Sequence, residues 1–404
     1  MNLVAFNTTS LPVGRPLPFA LRNAQGTLMA ARGYVIRSPE EVQALVARET
    51  QLYVDTNETP ETHRRYVDQL QHLLWSDPPL GDIATMRIAA PAYRPPPPRP
   101  SGPPDWYDLQ HRAARLLRLP QQRGFPDALG TLALELAQLR HHAPDATLLA
   151  LIYLSGQQPH LYSATHAMLV ACVGMVAAQQ TLQWPDAQVL QLGCAALSMN
   201  VAMTRLQDSL TRQAQALTER QLHTVHGHAE QSELLLREHG VTDTLWLEAV
   251  RHHHQRARGP LSAQSPGQQT ARLIQRADVL GARLAPRATR PALPATAALQ
   301  ACYYDDERQV DEAGAALLRT LGVYPPGTFV RLASDEVAVV LRRGLSATTP
   351  HVAVVVGRSG LPTGEPIPRR TAQPAYRITA PLAPHQVKVR VPLRRLLDLA
   401  THSG

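Results

Sequence analysis

The chain has 404 residues, enough for two or three domains at the usual size of about 150 residues each. Hydrophobic residues make up 44% of it and charged residues 18%, which is typical of a globular protein. The 40 basic and 32 acidic residues give a net charge of +8, but the basic residues are scattered and aromatic residues are only 5%. This pattern does not favour nucleic-acid binding, which needs clustered cations and stacking surfaces.

Three further features narrow the class of protein. Lys388 is the only lysine, so the chain has no Gly-Lys-Ser/Thr phosphate-binding loop. Cys172, Cys194 and Cys302 lie in apolar or helical contexts and are expected to be buried, reduced thiols. We find neither a secretory signal nor about 20 uninterrupted apolar residues, so we expect a cytoplasmic protein without a membrane span.

Residues 1–78 predict a small α+β domain. Short strands are expected over 17–21, 33–36 and 51–55, with a turn over 23–26 between the first two. Ser38 followed by Pro39 and two acids is typical of a helix start. Such a unit suits an input or docking domain, and its sequence does not indicate a ligand.

Residues 79–104 predict a proline-rich linker. The segment 91–104 contains Pro-Pro-Pro-Pro and Ser-Gly-Pro-Pro, which can form neither a helix nor a strand. A semi-rigid polyproline spacer is expected here, and a docking peptide for an SH3-type domain is the alternative.

Residues 105–325 predict helices at nearly every step, and residues 326–404 predict a β subdomain. Apolar residues recur at helical spacing, with breaks near Gly156, Trp184 and Gly240. After 327 the period changes to two, which predicts strands over 329–332, 336–341 and 351–356. The fold expected is therefore mainly α, a helical bundle with a C-terminal β subdomain and a small N-terminal α+β domain.

Four histidines and one aspartate fall on separate predicted helices or at their ends: His166, His228, His253, His254 and Asp278. Helical bundles commonly gather imidazoles and carboxylates from several helices into a metal site. Scattered histidines are also found as surface groups or as hydrogen-bonded core groups. The residues alone leave both interpretations open.

Six short segments, in chain order, resemble those of HD-GYP domains, bacterial members of the HD phosphohydrolase superfamily. They are His166-Ala-Met-Leu-Val-Ala171, Leu217-Thr218 followed by His228, His253-His254-Gln-Arg-Ala-Arg-Gly259, Ala277-Asp278-Val-Leu-Gly281-Ala282, Arg287-Ala-Thr-Arg290, and Leu321-Gly-Val-Tyr-Pro-Pro-Gly-Thr-Phe-Val-Arg-Leu332. The resemblance covers residues 147–400 and implies the HD-type helical bundle. For the family it implies hydrolysis of cyclic di-GMP at a site of two or three metals, where the metals neutralise phosphate oxygens.

The chain departs from the family pattern at the reactive positions. Met199-Asn200 stands where the His-Asp pair is expected, Met203 stands for the lysine that contacts phosphate, and Tyr162 stands for an acidic ligand. The Gly-Tyr-Pro signature is replaced by residues 260–266. A thioether is a poor ligand for Mn, Fe or Mg, and a neutral amide cannot bridge two metals as a carboxylate does. These departures indicate a degenerate, non-hydrolytic member.

The resemblance implies roles for seven residues in this sequence. His166, His228, His253, His254 and Asp278 occupy metal-ligand positions, here vestigial or partial, and Arg287 and Arg290 occupy positions that grip the ligand phosphates. The metal candidates are either fossil positions without a cofactor or, for the set His228, His253, His254 and Asp278, a site for a single Fe, Mn or Zn ion. The two arginines are equally compatible with solvated or salt-bridged side chains.

We therefore expect a signalling protein that acts by binding. Its partner is either a protein, such as a diguanylate cyclase or another signalling protein, or cyclic di-GMP itself. The rival hypothesis is a working phosphodiesterase with a reduced metal site. A third, the related non-catalytic HDOD type of domain, is disfavoured by the Tyr-Pro-Pro-Gly tail at 324–327.

Overall fold

The structure is a computed structural model, and it describes residues 3–6, 13, 17, 20–25, 27–30, 34–38, 41, 43, 52–55, 104–157, 161–256, 259–305 and 307–402. These residues belong to two compact units, Met1–Pro103 and Pro104–Gly404. The predicted linker over 79–104 lies outside the described residues except for Pro104.

The N-terminal unit contains an antiparallel sheet of strand order β1-β4-β2-β3. Its strands are β1 (Leu3–Phe6), β2 (Leu21–Arg22), β3 (Leu28–Ala30) and β4 (Leu52–Asp55). The predicted turn is present, because Asn23 Oδ1 accepts hydrogen bonds from the backbone N–H groups of Gln25 and Thr27. This turn returns the chain at once, so Leu21 pairs with Ala30. The partner strand is therefore β3 and not the predicted strand over 33–36, where Val35 makes only a bridge.

The C-terminal unit is mainly helical, which confirms the predicted fold class. Its α-helices are α1 (Trp106–Arg118), α2 (Phe125–His142), α3 (Pro144–Gln157), α4 (Tyr162–Gln180), α5 (Asp186–Ser198), α6 (Thr204–Leu210), α7 (Glu219–Glu238), α8 (Thr244–His252), α9 (Pro266–Leu284), α10 (Ala295–Tyr303), α11 (Glu312–Leu321) and α12 (Leu393–His402). The helix breaks fall where Gly156, Trp184 and Gly240 predicted them.

Helix α4 is the centre of the bundle. Its residues from Tyr162 to Ala178 are all buried, as expected for a helix that is apolar or small on every side. Small residues let its neighbour α5 approach closely: a Cβ added at Gly174 would lie 2.9 Å from Leu192 Cδ2. A Cβ at Gly193 would lie 2.8 Å from Met175 Sδ. A side chain at either position would therefore have to displace Leu192 or Met175, and glycine on both helices lets α4 and α5 pack closely.

The start of α4 is capped by a residue from another helix. Leu161, the residue before α4, provides no side-chain cap, and Asp208 of α6 accepts a hydrogen bond from the Ser163 N–H at 2.9 Å instead. The other oxygen of Asp208 pairs with Arg118 of α1 at 2.6 Å. One buried carboxylate thus fixes the entry of α4 relative to α1 and α6 and offsets the positive end of the helix dipole.

A five-stranded antiparallel sheet follows the helices, in the order β8-β7-β6-β5-β9. Its strands are β5 (Phe329–Leu332), β6 (Val337–Arg342), β7 (His351–Val356), β8 (Pro362–Arg370) and β9 (Ile378–Leu382). Phe329, Val339 and Val355 belong to the same apolar cluster as the helical core, so sheet and bundle share one interior. Helix α12, which the sequence pattern did not predict, contributes Leu393 and Leu396 to that cluster.

The three cysteines are buried and free, as expected. Burial raises the pKa of Cys172, Cys194 and Cys302 to about 12, so these thiols are unreactive at neutral pH.

Two helical stretches, Tyr162–Gln180 and Asp186–Leu210, are long and apolar enough to cross a membrane by length and composition alone. Of their apolar windows, 94% and 61% are buried inside the fold. Their apolar character is therefore accounted for by the core of the bundle.

We predict that Asp208→Asn lowers the free energy of unfolding by about 1–3 kcal/mol, because the buried charge that pairs Arg118 and caps α4 is lost. The control is Asp108→Asn, which breaks an exposed pair with Arg112 within α1 and should cost about 0.5 kcal/mol or less. Urea denaturation of both variants measures the difference. Equal losses would show that Asp208 does not hold the entry of α4.

Candidate metal centre

Two neighbouring helices, α7 and α8, position three of the histidines that the sequence singled out. His228 lies in the middle of α7, whose first turn is fixed by a capping box between Thr218 and Gln221. His253 and His254 follow directly after α8, which begins at the cap residue Asp243. Helix α7 packs against α8, and this contact brings the three imidazoles together.

The ring nitrogens of this histidine triad (His228, His253 and His254) converge. The Nε2 atom of His228 lies 3.3 Å from Nε2 of His253 and 3.2 Å from Nε2 of His254. One ligand nitrogen from each ring lies within 4.8 Å of the other two. His228 and His253 are buried, and His254 is exposed, so the triad is open to solvent on one side.

Two of the rings have an assigned tautomer. His228 Nδ1 is 2.6 Å from the Val225 carbonyl, and His253 Nδ1 is 2.6 Å from the Val250 carbonyl. A carbonyl oxygen can only accept, so both Nδ1 atoms carry a proton and each neutral ring presents a lone pair at Nε2. Each carbonyl belongs to the residue three positions earlier in the chain, a contact that the sequence did not reveal.

These lone pairs face one another without a proton between them. Burial, and after it the neighbouring His254, lowers the pKa of His253, which falls to about 3. Burial also lowers the pKa of His228. Both rings are neutral at pH 7, and a proton donated by His254 can satisfy only one of the two lone pairs. A cation would satisfy all three nitrogens at once.

The spacing of the nitrogens fits a metal ion. Two nitrogens bound to one ion at about 2.0–2.1 Å with tetrahedral angles lie about 3.3–3.4 Å apart. The observed separations of 3.2 and 3.3 Å are close to this value. The N–H groups of His228 and His253 that point to backbone carbonyls provide the support that metal-bound imidazoles usually have.

Asp278 of α9 is paired with His166 of α4 and does not belong to the triad. Its Oδ1 lies 2.6 Å from His166 Nε2, and the His166 side chain is 3% exposed. Burial alone would raise the pKa of Asp278, but the His166 hydrogen bond and the nearby histidines hold it well below its usual range. Four residues were proposed to bind one metal ion. The structure brings the three histidines together, whereas Asp278 is hydrogen-bonded to His166.

Gly281 makes this pairing possible. A Cβ at this position would lie 3.2 Å from His166 Nδ1 and 3.3 Å from its Cε1, so α9 approaches the His166 ring through a residue without a side chain. The pair His166–Asp278 is therefore built by close contact of α4 and α9.

Tyr162 links the His166–Asp278 pair to Arg287. The rings of Tyr162 and His166 stack with centroids 5.2 Å apart, and Arg287 Nη2 donates to the Tyr162 hydroxyl at 2.9 Å. Burial raises the pKa of Tyr162, so the phenol stays neutral. Arg290 donates to the Ala282 carbonyl, and the Nε groups of Arg287 and Arg290 are buried without a partner among the described residues.

Residues Met199, Asn200 and Met203 lie between α5 and α6. Met199 is fully buried and belongs to the apolar core. Asn200 Oδ1 is buried and has no hydrogen-bond partner within the described part of the chain. The segment runs along α7, because the Ala202 N–H donates to Ser232 Oγ, one turn after His228.

The loop after the double histidine is fixed by side chains from α9 and α11. Arg272 donates to the Gly259 carbonyl at 2.7 Å, and Glu312 accepts from the Leu261 N–H at 2.6 Å. Arg272 is itself paired with the buried Asp311. These contacts hold the described part of this loop in place without the Gly-Tyr-Pro signature.

One curated relative is similar to the chain: cyclic di-GMP phosphodiesterase PA4108 of Pseudomonas aeruginosa, 28% identical over 221 residues. The match covers 54% of this chain, and the chain spans about half (52%) of that relative's length. No protein-family profile matches the chain.

Among solved structures, an HDG"Y"P protein from Bdellovibrio bacteriovorus, Bd1817, matches over 78% of this chain and 98% of its own, with 13% identity and a TM-score of 0.40. That score is too low to support an argument. The phosphodiesterase relative, in contrast, has the activity that the ordered motifs imply for their family. The ordered motifs and this relative agree: both make the chain similar to proteins with an HD-GYP-type domain.

Proposed function

We propose that the chain is a non-catalytic HD-GYP-type protein of cyclic di-GMP signalling, which acts by binding either cyclic di-GMP or a protein partner such as a diguanylate cyclase. The observation that carries the proposal is the pairing of Asp278 with His166 at 2.6 Å. Asp278 is not one of the three converging ligands, and the signature position holds the neutral Asn200, so no carboxylate stands where a bridge to a second metal ion is expected.

The residues at the signature position support the same conclusion. Met199 is fully buried in the apolar core, where its thioether packs against other side chains. Asn200 offers a neutral amide oxygen, which cannot balance the charge of two divalent ions. Tyr162 is neutral and hydrogen-bonded to Arg287, so it does not replace an acidic ligand.

We propose that the triad holds a single divalent ion through its three Nε2 atoms. Fe, Mn and Zn all accept imidazole ligands, and the spacing fits four-coordinate Zn well. Such an ion would supply a positive charge for phosphate oxygens. His228 and His253 are held in position by their backbone carbonyl contacts, and the exposed His254 lies on the open side.

Arg287 and Arg290 are proposed to meet the phosphates of cyclic di-GMP. Each has a buried Nε–H group that donates no hydrogen bond to any described residue, so each can donate one more. The pKa of Arg290 is lowered by burial and by the neighbouring charges of Arg283 and Arg287. Three positive groups close together are complementary to an anionic ligand.

The second candidate function is a phosphodiesterase with a reduced metal site. The convergence of three imidazole nitrogens, two of them with a free lone pair at Nε2, is compatible with it, because a bound metal ion could also act on a phosphate ester. In the function proposed above, the metal ion binds a ligand or stabilises the structure, and it does not hydrolyse cyclic di-GMP.

The remaining assignments are proposals from the sequence. We propose that residues 1–78 act as an input or docking domain, that 79–104 form a linker, and that the protein works in the cytoplasm. The proposed arrangement of the rest is a helical domain over 105–325 with a β subdomain over 326–404.

We predict that the purified chain binds about one divalent ion, and that His228→Ala or His253→Ala removes it, because two nitrogens hold an ion far less tightly than three. Equilibrium dialysis against Zn, Mn or Fe followed by elemental analysis measures this. His226→Ala on the same helix is the matched control, since His226 is exposed and outside the triad. Full retention of metal in both triad variants would contradict the site.

We predict that the chain does not hydrolyse cyclic di-GMP and that Met199→His with Asn200→Asp does not restore hydrolysis. Tyr162 and Met203 remain uncorrected, and each lost electrostatic contact to a transition state costs about 2.7–4 kcal/mol, roughly 100–1,000-fold in rate. Chromatography of the products, with Mn or Fe added, measures the rate. Linear dinucleotide or GMP produced by the unmodified chain would instead establish the phosphodiesterase.

We predict that cyclic di-GMP binds and that Arg287→Ala weakens binding by about 1.5–3 kcal/mol, the range for a charge-assisted hydrogen bond. Isothermal calorimetry measures the affinity. Arg319→Ala, an exposed arginine on α11, is the control of equal charge change. If calorimetry shows no binding heat at high micromolar cyclic di-GMP, ligand binding is rejected and only binding of a protein partner remains.

A further inference from the structure

A cavity of about 240 Å³ lies beside the segment that connects β9 to α12. Part of its wall is apolar, from Pro286, Ala292, Pro384 and Val387. Its polar wall comes from Gln157, His385, Lys388 and Arg390. None of the triad histidines, Arg287 or Arg290 lines it, so it is separate from the site described above.

Lys388 and Arg390 give the cavity wall a positive charge. Lys388 and Arg390 are exposed, and neither makes an ion pair or a side-chain hydrogen bond with any residue that the structure describes. No carboxylate is among the lining residues. Elsewhere in the same region, Arg395 pairs with Glu365 and Arg369 with Glu336. Two unpaired cations and a histidine around one concave surface are complementary to an anion.

The segment that carries these cations is already fixed in shape. The Tyr153 hydroxyl donates to the Val391 carbonyl at 2.9 Å and accepts from the Val391 N–H at 3.0 Å. At the other end, the Val387 N–H bonds to the Pro384 carbonyl, and Pro384 packs against Gly156, where an added Cβ would lie 3.4 Å from its Cγ. A ligand would therefore meet a preformed wall and would not have to order it.

We propose that this cavity binds a small phosphate ester with a flat apolar body, of the size of a mononucleotide. Lys388 supplies a point charge and Arg390 a planar fork for the phosphate, which are the two side chains best suited to that group. The rings of Pro286 and Pro384 provide apolar surface for the body. The volume lies below the roughly 300–1,000 Å³ of pockets for drug-sized ligands, which favours one nucleotide unit over two.

The single lysine of the chain gives a direct test. Reductive methylation with ¹³C-formaldehyde labels Lys388 and the terminal amine and keeps the lysine charge. We expect the Lys388 methyl signal in NMR spectra to shift saturably with GMP, less with inorganic phosphate, and not with guanosine. The terminal amine signal reports non-specific attraction and should stay in place.

Two variants make the test specific. Arg390→Gln should weaken GMP binding about tenfold or more, as the loss of a charge-assisted contact does. Arg394→Gln removes an equal charge from an exposed position of α12 that does not line the cavity, and should leave binding unchanged. Thermal melting shows that both variants fold.

Four results would overturn the proposal: a Lys388 signal that does not move at millimolar GMP, an equal response to guanosine, an equal shift of the terminal amine, or equal weakening by Arg394→Gln. If inorganic phosphate binds as tightly as GMP, the claim that the ligand is of nucleotide size is wrong, because the apolar wall then contributes nothing to the affinity.

Discussion

The burial of α4 from Tyr162 to Ala178 is the constraint on which the C-terminal unit depends. A helix buried on every side needs neighbours on every side, and small residues such as Gly174 let those neighbours approach. Its first turn cannot be solvated, so the carboxylate of Asp208 caps it from α6. The same turn carries Tyr162 and His166, and the packing that fixes the core therefore also fixes one wall of the candidate site.

The candidate site consists of two clusters of buried polar side chains, which differ in whether their hydrogen-bonding groups have partners. In the first, His166, Asp278, Tyr162 and Arg287 form a chain of contacts, in which only the Arg287 Nε is buried without a partner among the described residues. In the second, His228 and His253 are oriented by backbone carbonyls, and a proton from His254 can satisfy only one of their two Nε2 lone pairs. An unsatisfied buried acceptor is costly. The second cluster therefore has an unsatisfied nitrogen acceptor that a cation would pair.

The loop that holds Arg287 also lies beside the basic cavity, since Pro286 and Ala292 form part of that cavity wall. Two regions of positive charge thus share one connection between α9 and α10.

The sequence by itself determined the helical class, the helix breaks, the strands after Tyr324 and the HD-GYP-type motifs, because periodicity and turn residues are local properties. It also identified His228, His253 and His254 as candidates. Only the tertiary structure decided which of them meet: Asp278 went to His166 because Gly281 lets α9 approach α4, and the carbonyls of Val225 and Val250 set the ring orientations. Contacts between helices depend on packing over long sequence separations, and no local pattern in the chain records them.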